Sequence, residues 1–246
     1  MEPSSGAIAA NLARVRERIA SACARAGRRP EDVTLVAVSK TFPLEAIRAA
    51  HAAGVRHFGE NRVQEWETKQ PLLAGLLATW HLVGHLQSNK ARRAAALFHS
   101  IDSVDSLALA QRLDRAFAEW CAGRNSSPQS QEAGAVRLPV LLEVRLAPEE
   151  SKSGVELAEL GRVAEGVVAL DHLDLRGLMC IPPDCQNPAD ARPFFRCLRE
   201  LRDALQTSLS RPFPDLSMGM SHDFEVAVEE GATAVRLGTA VFGARA

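Results

Sequence analysis

A lysine stands at the end of an apolar run in the stretch LVAVSKTFP, residues 35–43. An ammonium group at the tip of a buried strand can extend its apolar stem outward and keep its charge in water. If it is desolvated instead, its pKa falls and the amine becomes a nucleophile that can form a Schiff base with an aldehyde. This stretch alone leaves both interpretations of Lys40 open.

Glycines and hydroxyl residues collect in two later stretches, SMGMSHD at 217–223 and RLGTAVFG at 236–243. Ser217, Gly219 and Ser221 lie at a predicted strand-to-helix junction, and Gly238 and Thr239 form a turn after the last predicted strand. Free backbone N–H groups at such junctions bind phosphate. The sequence therefore predicts a phosphorylated ligand. In the alternative, Ser221 only N-caps its helix and Gly238 only turns the chain.

Arg236 ends a predicted strand whose other members are small or apolar. An arginine at this position needs an acceptor, either a ligand or an ion pair with Glu60 or Asp223. A lysine, a phosphate site and a group facing a ring nitrogen are what pyridoxal 5′-phosphate (PLP) requires. Because arginine stays protonated, it would donate to the pyridine nitrogen and weaken the ring as an electron sink. This argues against transaminase-like chemistry, whereas a Schiff-base aldolase acting on a phosphorylated sugar would use the same lysine and phosphate site.

Short apolar runs alternate with segments of helical spacing along the chain, and these elements must position the reactive residues. Runs such as VTLVAV and LPVLLEV are apolar on both faces, as in a parallel sheet covered by helices. Strands are predicted at 33–39, 55–59, 80–84, 98–102, 138–145, 173–180, 216–219 and 232–236.

This alternation, preceded by an amphipathic helix, favours an α/β fold with a single (β/α)₈ TIM-type barrel and an extra N-terminal helix. A doubly wound sheet is the alternative, but no G-x-G-x-x-G follows the first strand. Active sites of such barrels form at the C-terminal ends of the strands. Lys40, Asn61 and Arg236 all stand at or after predicted strand ends.

The stretch at 121–137, CAGRNSSPQSQEAGAVR, is rich in Ser, Gly and Gln and is typical of a surface loop. The strand–helix pattern resumes unchanged after it. We therefore expect one domain spanning residues 1–246, with a flexible insertion at 121–137, rather than two domains joined by a linker.

The composition excludes several classes of partner. Lys plus Arg number 29 against 30 Asp plus Glu, a net charge of −1, which gives no electrostatic footprint for nucleic acid or an anionic membrane. No apolar run approaches a membrane span, and the N-terminus lacks the pattern of a secretory signal. The cysteines are odd in number and contain no C-x-x-C, so free thiols are favoured over disulfides or a metal site. The sequence predicts a cytoplasmic protein.

Over essentially its full length, the chain resembles the pyridoxal phosphate homeostasis protein family. The resemblance is carried by AVSKT at 37–41, FGEN at 58–61, WHLVGHLQSNK at 80–90, SKSG at 151–154, RGLMCIPP at 176–183 and LSMGMSHDFEVAVEEGATAVRLGTAVFG at 216–243. It implies a single barrel like the N-terminal domain of alanine racemase. It also implies a carrier or regulator of PLP, acting in vitamin B6 and amino-acid balance, with no established catalytic reaction.

The resemblance further implies a role for each site residue. Lys40 matches the lysine that binds PLP as a Schiff base, Arg236 matches the arginine facing the pyridine nitrogen, and Asn61 matches a residue near the cofactor. The positions around the phosphate are matched by Ser217, Gly219, Ser221, Gly238 and Thr239. The implied partners are PLP and, as acceptors, apo PLP-dependent enzymes. Nucleic acid and membranes are not expected as partners. A monomer is favoured over an obligate oligomer.

The chain departs from the family at Arg145, which stands where an asparagine is common before SKSG. The role of that asparagine at the end of the fifth strand is therefore in doubt here. Lys152 matches a family lysine, but a solvated surface charge is an equal interpretation.

Tyrosine is absent from the sequence. Alanine racemase pairs its PLP lysine with a tyrosine supplied by a second, β-rich domain, and this chain has neither the tyrosine nor the length for that domain. The leading hypothesis is therefore a PLP-binding protein without efficient catalysis. The alternative is a PLP-dependent racemase-like enzyme that uses Lys40 alone or takes His81 or His85 as a second base, although a structural role for either histidine is favoured.

Overall fold

Short parallel strands pair in chain order and close into a barrel, because the last strand pairs with the first. The computed structural model describes residues 4–124, 136–147 and 153–244. The strands are β1 Thr34–Val38, β2 His57–Glu60, β3 Thr79–Leu82, β4 Ser100–Val104, β5 Leu138–Glu143, β6 Leu173–Met179, β7 Asp215–Ser217 and β8 Ala234–Leu237. At the seam between β8 and β1, Arg236 stands beside Val36.

Helices surround this barrel. They are α1 Ser5–Arg25, α2 Leu44–Ala52, α3 Val63–Lys69, α4 Ala91–Leu97, α5 Leu107–Arg124, α6 Leu160–Val168, α7 Arg192–Ser208, α8 Phe224–Glu229 and α9 Thr239–Phe242. The first helix begins at Ser4, whose hydroxyl accepts a hydrogen bond from the Ala7 N–H. Its buried stripe of Ile8, Leu12 and Val15 packs toward α2, α8 and α9. None of the helices in the described residues is long and apolar enough to cross a bilayer.

The predicted TIM-type barrel with an extra N-terminal helix is confirmed, and the doubly wound alternative is wrong. Every predicted strand overlaps an observed one. The fifth strand ends earlier than predicted, at Glu143, because Val144 forms an isolated bridge with Val155 instead. The short α9 was not predicted, since four residues carry too little periodicity to be recognised.

The predicted insertion at 121–137 begins within a helix. Helix α5 continues to Arg124, so the first residues of that segment are helical rather than looped. Residues 125–135 lie outside the described residues, and the flexibility of the insertion stays a prediction.

Helix α3 is fixed to the barrel by aromatic packing. The Trp66 ring stacks on Trp80 with a centroid separation of 3.8 Å, and Trp80 stacks on Phe58 at 5.0 Å. The Trp66 indole N–H also donates to the Leu97 carbonyl at 2.9 Å. Aromatic pairs add to the stabilisation given by their burial, so α3 has a well-defined position on the outside of β2 and β3.

Candidate cofactor-binding site

A cavity of about 300 Å³ opens at the C-terminal ends of β7, β8, β1 and β2, which are neighbours in the closed barrel. Most of the predicted site residues line it: Lys40, Asn61, Ser221, Arg236, Gly238 and Thr239. Five further lining residues were not predicted from the sequence: Val38, Val83, Ile181, Met220 and His222. Residues far apart in the chain therefore meet at one mouth of the barrel.

Lys40 lies in a tight turn between β1 and α2. The Phe42 N–H donates to the Ser39 carbonyl at 3.1 Å, which closes the turn, and Thr41 has a φ of 66°. A positive φ at the third position of a turn is usually filled by glycine or asparagine. A β-branched residue in this conformation is unusual, so the surrounding structure must hold the turn in place.

Arg236 is almost completely buried, with 4% of its surface exposed. Its guanidinium donates to the Ser217 carbonyl at 2.7 Å, the Ser217 hydroxyl at 2.8 Å and the Cys180 carbonyl at 2.7 Å. The alternative of an ion pair with Glu60 or Asp223 is wrong, because Glu60 bonds to Ser39 and Lys69. The Asp223 carboxylate accepts instead from the Met220 N–H at 2.6 Å.

Buried ionisable groups around Arg236 set its electrostatic environment. Burial lowers the pKa of the Arg236 guanidinium, while Cys180, Asp102, Glu143 and Asp223 act in the opposite direction. Burial raises the pKa values of Glu143 and Asp223, and the charge on Arg236 offsets part of that rise. A guanidinium remains protonated under all ordinary conditions, so the floor of the cavity carries a fixed positive charge.

Ser221 links the loop after β7 to the start of α9. Its hydroxyl oxygen accepts from the Ala240 N–H at 3.1 Å. It does not N-cap its own helix, as the alternative supposed, because α8 begins only at Phe224. Its O–H proton has no acceptor among the residues that the structure describes, and Gly238 and Thr239 line the same cavity. The hydroxyls of Ser221 and Thr239 can therefore donate hydrogen bonds to an anion in this part of the cavity.

Ser217 and Gly219 were predicted at the phosphate site, but they are not among the residues lining the cavity. Ser217 is fully buried, and its hydroxyl accepts from Arg236. Gly219 has a φ of 91°, and a Cβ there would lie 2.5 Å from the Ala227 Cβ. The first residue supports Arg236, and the second lets the loop that carries Ser221 pack against α8.

Asn61 follows β2 and contributes an unused acceptor. Its Oδ1 atom is buried and receives no hydrogen bond from the described residues. The close approach of Gly84 fixes the backbone here, since a Cβ on that glycine would lie 2.5 Å from the Asn61 carbonyl oxygen. Buried acceptors are normally paired, so Asn61 Oδ1 is suited to a donor supplied by a ligand.

The structure separates the two histidines considered as second bases. His81 lies inside the barrel, where Nδ1 is 3.1 Å from Asp102 Oδ2 and Nε2 is 3.0 Å from His57 Nδ1. Burial opposes charging of His81, but the Asp102 carboxylate raises its pKa overall. His85 instead lines an adjoining cavity of about 220 Å³, which shares Asn61, Val83 and Ile181 with the first.

Arg145, the departure from the family pattern, lines this adjoining cavity. Its guanidinium forms an ion pair with Glu156, and its backbone N–H donates to the Val155 carbonyl at 3.0 Å. Arg145 is thus placed beside the first cavity and is not among the residues lining it. Lys152 lies outside the described residues, so its role stays open.

The barrel belongs to the class of the alanine racemase N-terminal domain, whose family model matches residues 5–246. The chain is 47% identical over 238 residues to a pyridoxal phosphate homeostasis protein of Pseudomonas aeruginosa, covering 97% of this chain and 96% of the relative. The chain therefore belongs to the pyridoxal phosphate homeostasis protein family.

Two solved structures are also similar to this chain. PipY of Synechococcus elongatus with PLP bound matches with a TM-score of 0.81 and 42% identity, covering 96% of this chain and all of the other. Alanine racemase of Corynebacterium glutamicum matches with a TM-score of 0.69 at 17% identity, covering 98% of this chain and 61% of the other. The second match shows a shared barrel fold.

Proposed function

We propose that this chain, as one unit of residues 1–246, binds PLP in the barrel mouth as a Schiff base on Lys40. The observation that carries the proposal is the convergence of Lys40, Arg236 and Ser221 on one cavity. PLP binding and a role in PLP homeostasis are also supported by the relatives, through the PLP-bound PipY and the homeostasis names.

The residues present fit each part of PLP. The Ser221 and Thr239 hydroxyls suit the phosphate, Arg236 suits the pyridine nitrogen, and the unpaired Oδ1 of Asn61 suits a polar substituent of the ring. PLP bound there would supply an aldehyde that the Lys40 amine can condense with, releasing water, and a ring that withdraws electrons. Arg236 keeps that sink weak, because a protonated guanidinium disfavours protonation of the ring nitrogen.

The proposed role is to hold PLP within the cytoplasm and hand it to apo PLP-dependent enzymes, without efficient catalysis and as a monomer. The limited electron withdrawal allowed by Arg236 suits storage better than turnover. The free thiols of the cysteines, including Cys23 and Cys180, suit a reducing compartment.

Ser221→Ala is expected to weaken PLP binding about tenfold or more, the order expected for losing a hydrogen bond to a charged group. The affinity for pyridoxal, which lacks the phosphate, is expected to stay unchanged. Absorbance titration with both compounds measures the difference. The control is Ser106→Ala, which removes a hydroxyl that accepts from the Leu109 N–H at 3.3 Å, outside the cavity. Equal losses for both compounds would show that Ser221 shapes the cavity rather than meeting the phosphate.

A racemase-like activity is the second candidate, and the position of His85 favours it. His85 Nδ1 lies 3.3 Å from Asp105 Oδ2, which orients the ring at the edge of the adjoining cavity. For a carrier, the PLP-loaded protein in D₂O is expected to exchange the α-hydrogen of alanine slowly, with no effect of His85→Gln. Rapid deuteration with loss of chirality, slowed by His85→Gln, would overturn the carrier proposal. Proton NMR and chiral chromatography measure the two quantities.

A further inference from the structure

Two charged residues on α3 reach the turn that carries Lys40. The Lys69 ammonium donates to the Ser39 carbonyl at 3.0 Å, and the Glu65 carboxylate accepts from the Thr41 N–H at 2.6 Å. These backbone groups belong to the residues directly before and after Lys40. Helix α3 therefore holds the chain on both sides of the lysine.

The two side chains belong to a mostly buried network. Lys69 Nζ lies 2.7 Å from Glu65 Oε1 and 3.1 Å from Glu60 Oε1, and the Ser39 hydroxyl donates to that same Glu60 oxygen at 2.7 Å. The Lys69 side chain is 13% exposed and that of Glu60 is fully buried. Solvent screens such a network less than a surface ion pair, and removing one member leaves the others uncompensated.

The turn needs this support because of its backbone conformation. Thr41 has a φ of 66°, which places the Cβ of an L-residue too close to the neighbouring backbone. A β-branched residue prefers a negative φ, and relaxation toward it would move the adjacent Lys40. The bond from the Thr41 N–H to Glu65 opposes that relaxation, and it ends on a helix fixed to the barrel by Trp66.

We propose that Glu65 and Lys69 are positioning residues that hold the strained turn and so keep the Lys40 amine at the cavity. The inference rests on the proposed function in taking Lys40 as the PLP-binding group. The claim that α3 fixes the turn concerns the ligand-free chain, so it can be tested separately.

The first measurement is hydrogen exchange of the Thr41 amide in the ligand-free protein, observed by NMR. Glu65→Ala is expected to speed this exchange about tenfold, since a charge-assisted hydrogen bond to the amide is lost. The matched control is Glu67→Ala on the same helix, where Glu67 pairs with Arg93 at 3.3 Å on the exposed side. The control is expected to leave the exchange unchanged. Unchanged exchange in Glu65→Ala overturns the proposal.

The second measurement is the rate at which visible absorbance develops after PLP is added. We expect Glu65→Ala to slow it about tenfold and Glu67→Ala to leave it unaffected, again from the loss of one bond to a charged group. Faster Thr41 exchange with an unchanged rate overturns the positioning role. If the wild-type chain itself develops no such absorbance, the PLP proposal fails, while the exchange result still decides whether α3 holds the turn.

Rescue separates positioning from a general loss of structure. Glycine adopts a positive φ without steric cost, so adding Thr41→Gly to Glu65→Ala is expected to recover part of the rate. Adding Thr41→Val, which keeps the β-branch, is expected to recover none, and equal recovery by both overturns the proposal. If Glu65→Ala does not fold, Glu65→Gln keeps an acceptor oxygen for Thr41 and is expected to speed exchange by a smaller factor. Exchange equal to wild type in that variant would count against the role of the charge pair with Lys69.

Discussion

Lys40→Ala is expected to abolish the visible absorbance that PLP acquires in this chain and to weaken PLP binding by roughly 100-fold, about 2.7 kcal/mol. The reason is that Lys40 lines the cavity together with Arg236 and Ser221, whereas Lys69 is not among the residues lining it. Absorbance titration measures the affinity. Borohydride reduction followed by peptide mass analysis identifies the lysine that carries the adduct.

Lys90→Ala is the matched control for this experiment. Lys90 lines a neighbouring cavity with Asn61 and His85, so its amine is near the site and outside the proposed bonding position. Its removal is expected to leave both the absorbance and the adduct intact. An adduct found on Lys90 or Lys152 of the wild-type chain, with none on Lys40, would contradict the assignment.

The second large effect is expected for Arg236→Ala, a loss of about 3–5 kcal/mol in the free energy of unfolding. Truncation leaves the Cys180 carbonyl and the Ser217 hydroxyl without the donors that Arg236 supplies, and it removes the charge that offsets buried Asp102 and Glu143. For a chain of this size the loss corresponds to a fall in Tm of roughly 10 °C. Urea unfolding monitored by circular dichroism measures it, and PLP affinity is expected to fall as well.

Two variants control for the loss of a charge in general. Arg176→Ala removes a half-exposed arginine that pairs with Asp215 at 3.1 Å, and less than about 1 kcal/mol is expected. Arg236→Lys keeps the positive charge but not the fork of donors, so its loss is expected to be intermediate. Comparable losses in Arg236→Ala and Arg176→Ala would show that burial of Arg236 contributes little to stability.

The barrel and the rim residues were predictable because their signals are local. An apolar run such as VTLVAV indicates a strand buried on both faces, and parallel connectivity places all strand ends on one side. Lys40 and Arg236 were therefore identified as polar residues at the tips of apolar strands. That they meet in one cavity follows from the pairing of β8 with β1, which the alternation of elements implied.

The support beneath the site was not predictable in the same way. Glu65 and Lys69 stand four residues apart, a spacing that indicates an ordinary surface pair on a helix. Their bonds to Ser39 and Thr41 depend on how α3 lies against the barrel. Ser217 was assigned to the phosphate site by its proximity in sequence to Ser221, but strand alternation points its hydroxyl inward to Arg236.

The seam between β8 and β1 has a consequence for the order of events in the cell. Lys40 is synthesised well before Arg236, Gly238 and Thr239. The cavity forms only when β8 pairs with β1, so a chain in which β8 has not yet been made has no complete site for the cofactor. A ligand that contacts residues following both β1 and β8 also stabilises the closed barrel, because it binds the folded chain and not the unfolded one. PLP binding and the free energy of unfolding are therefore coupled.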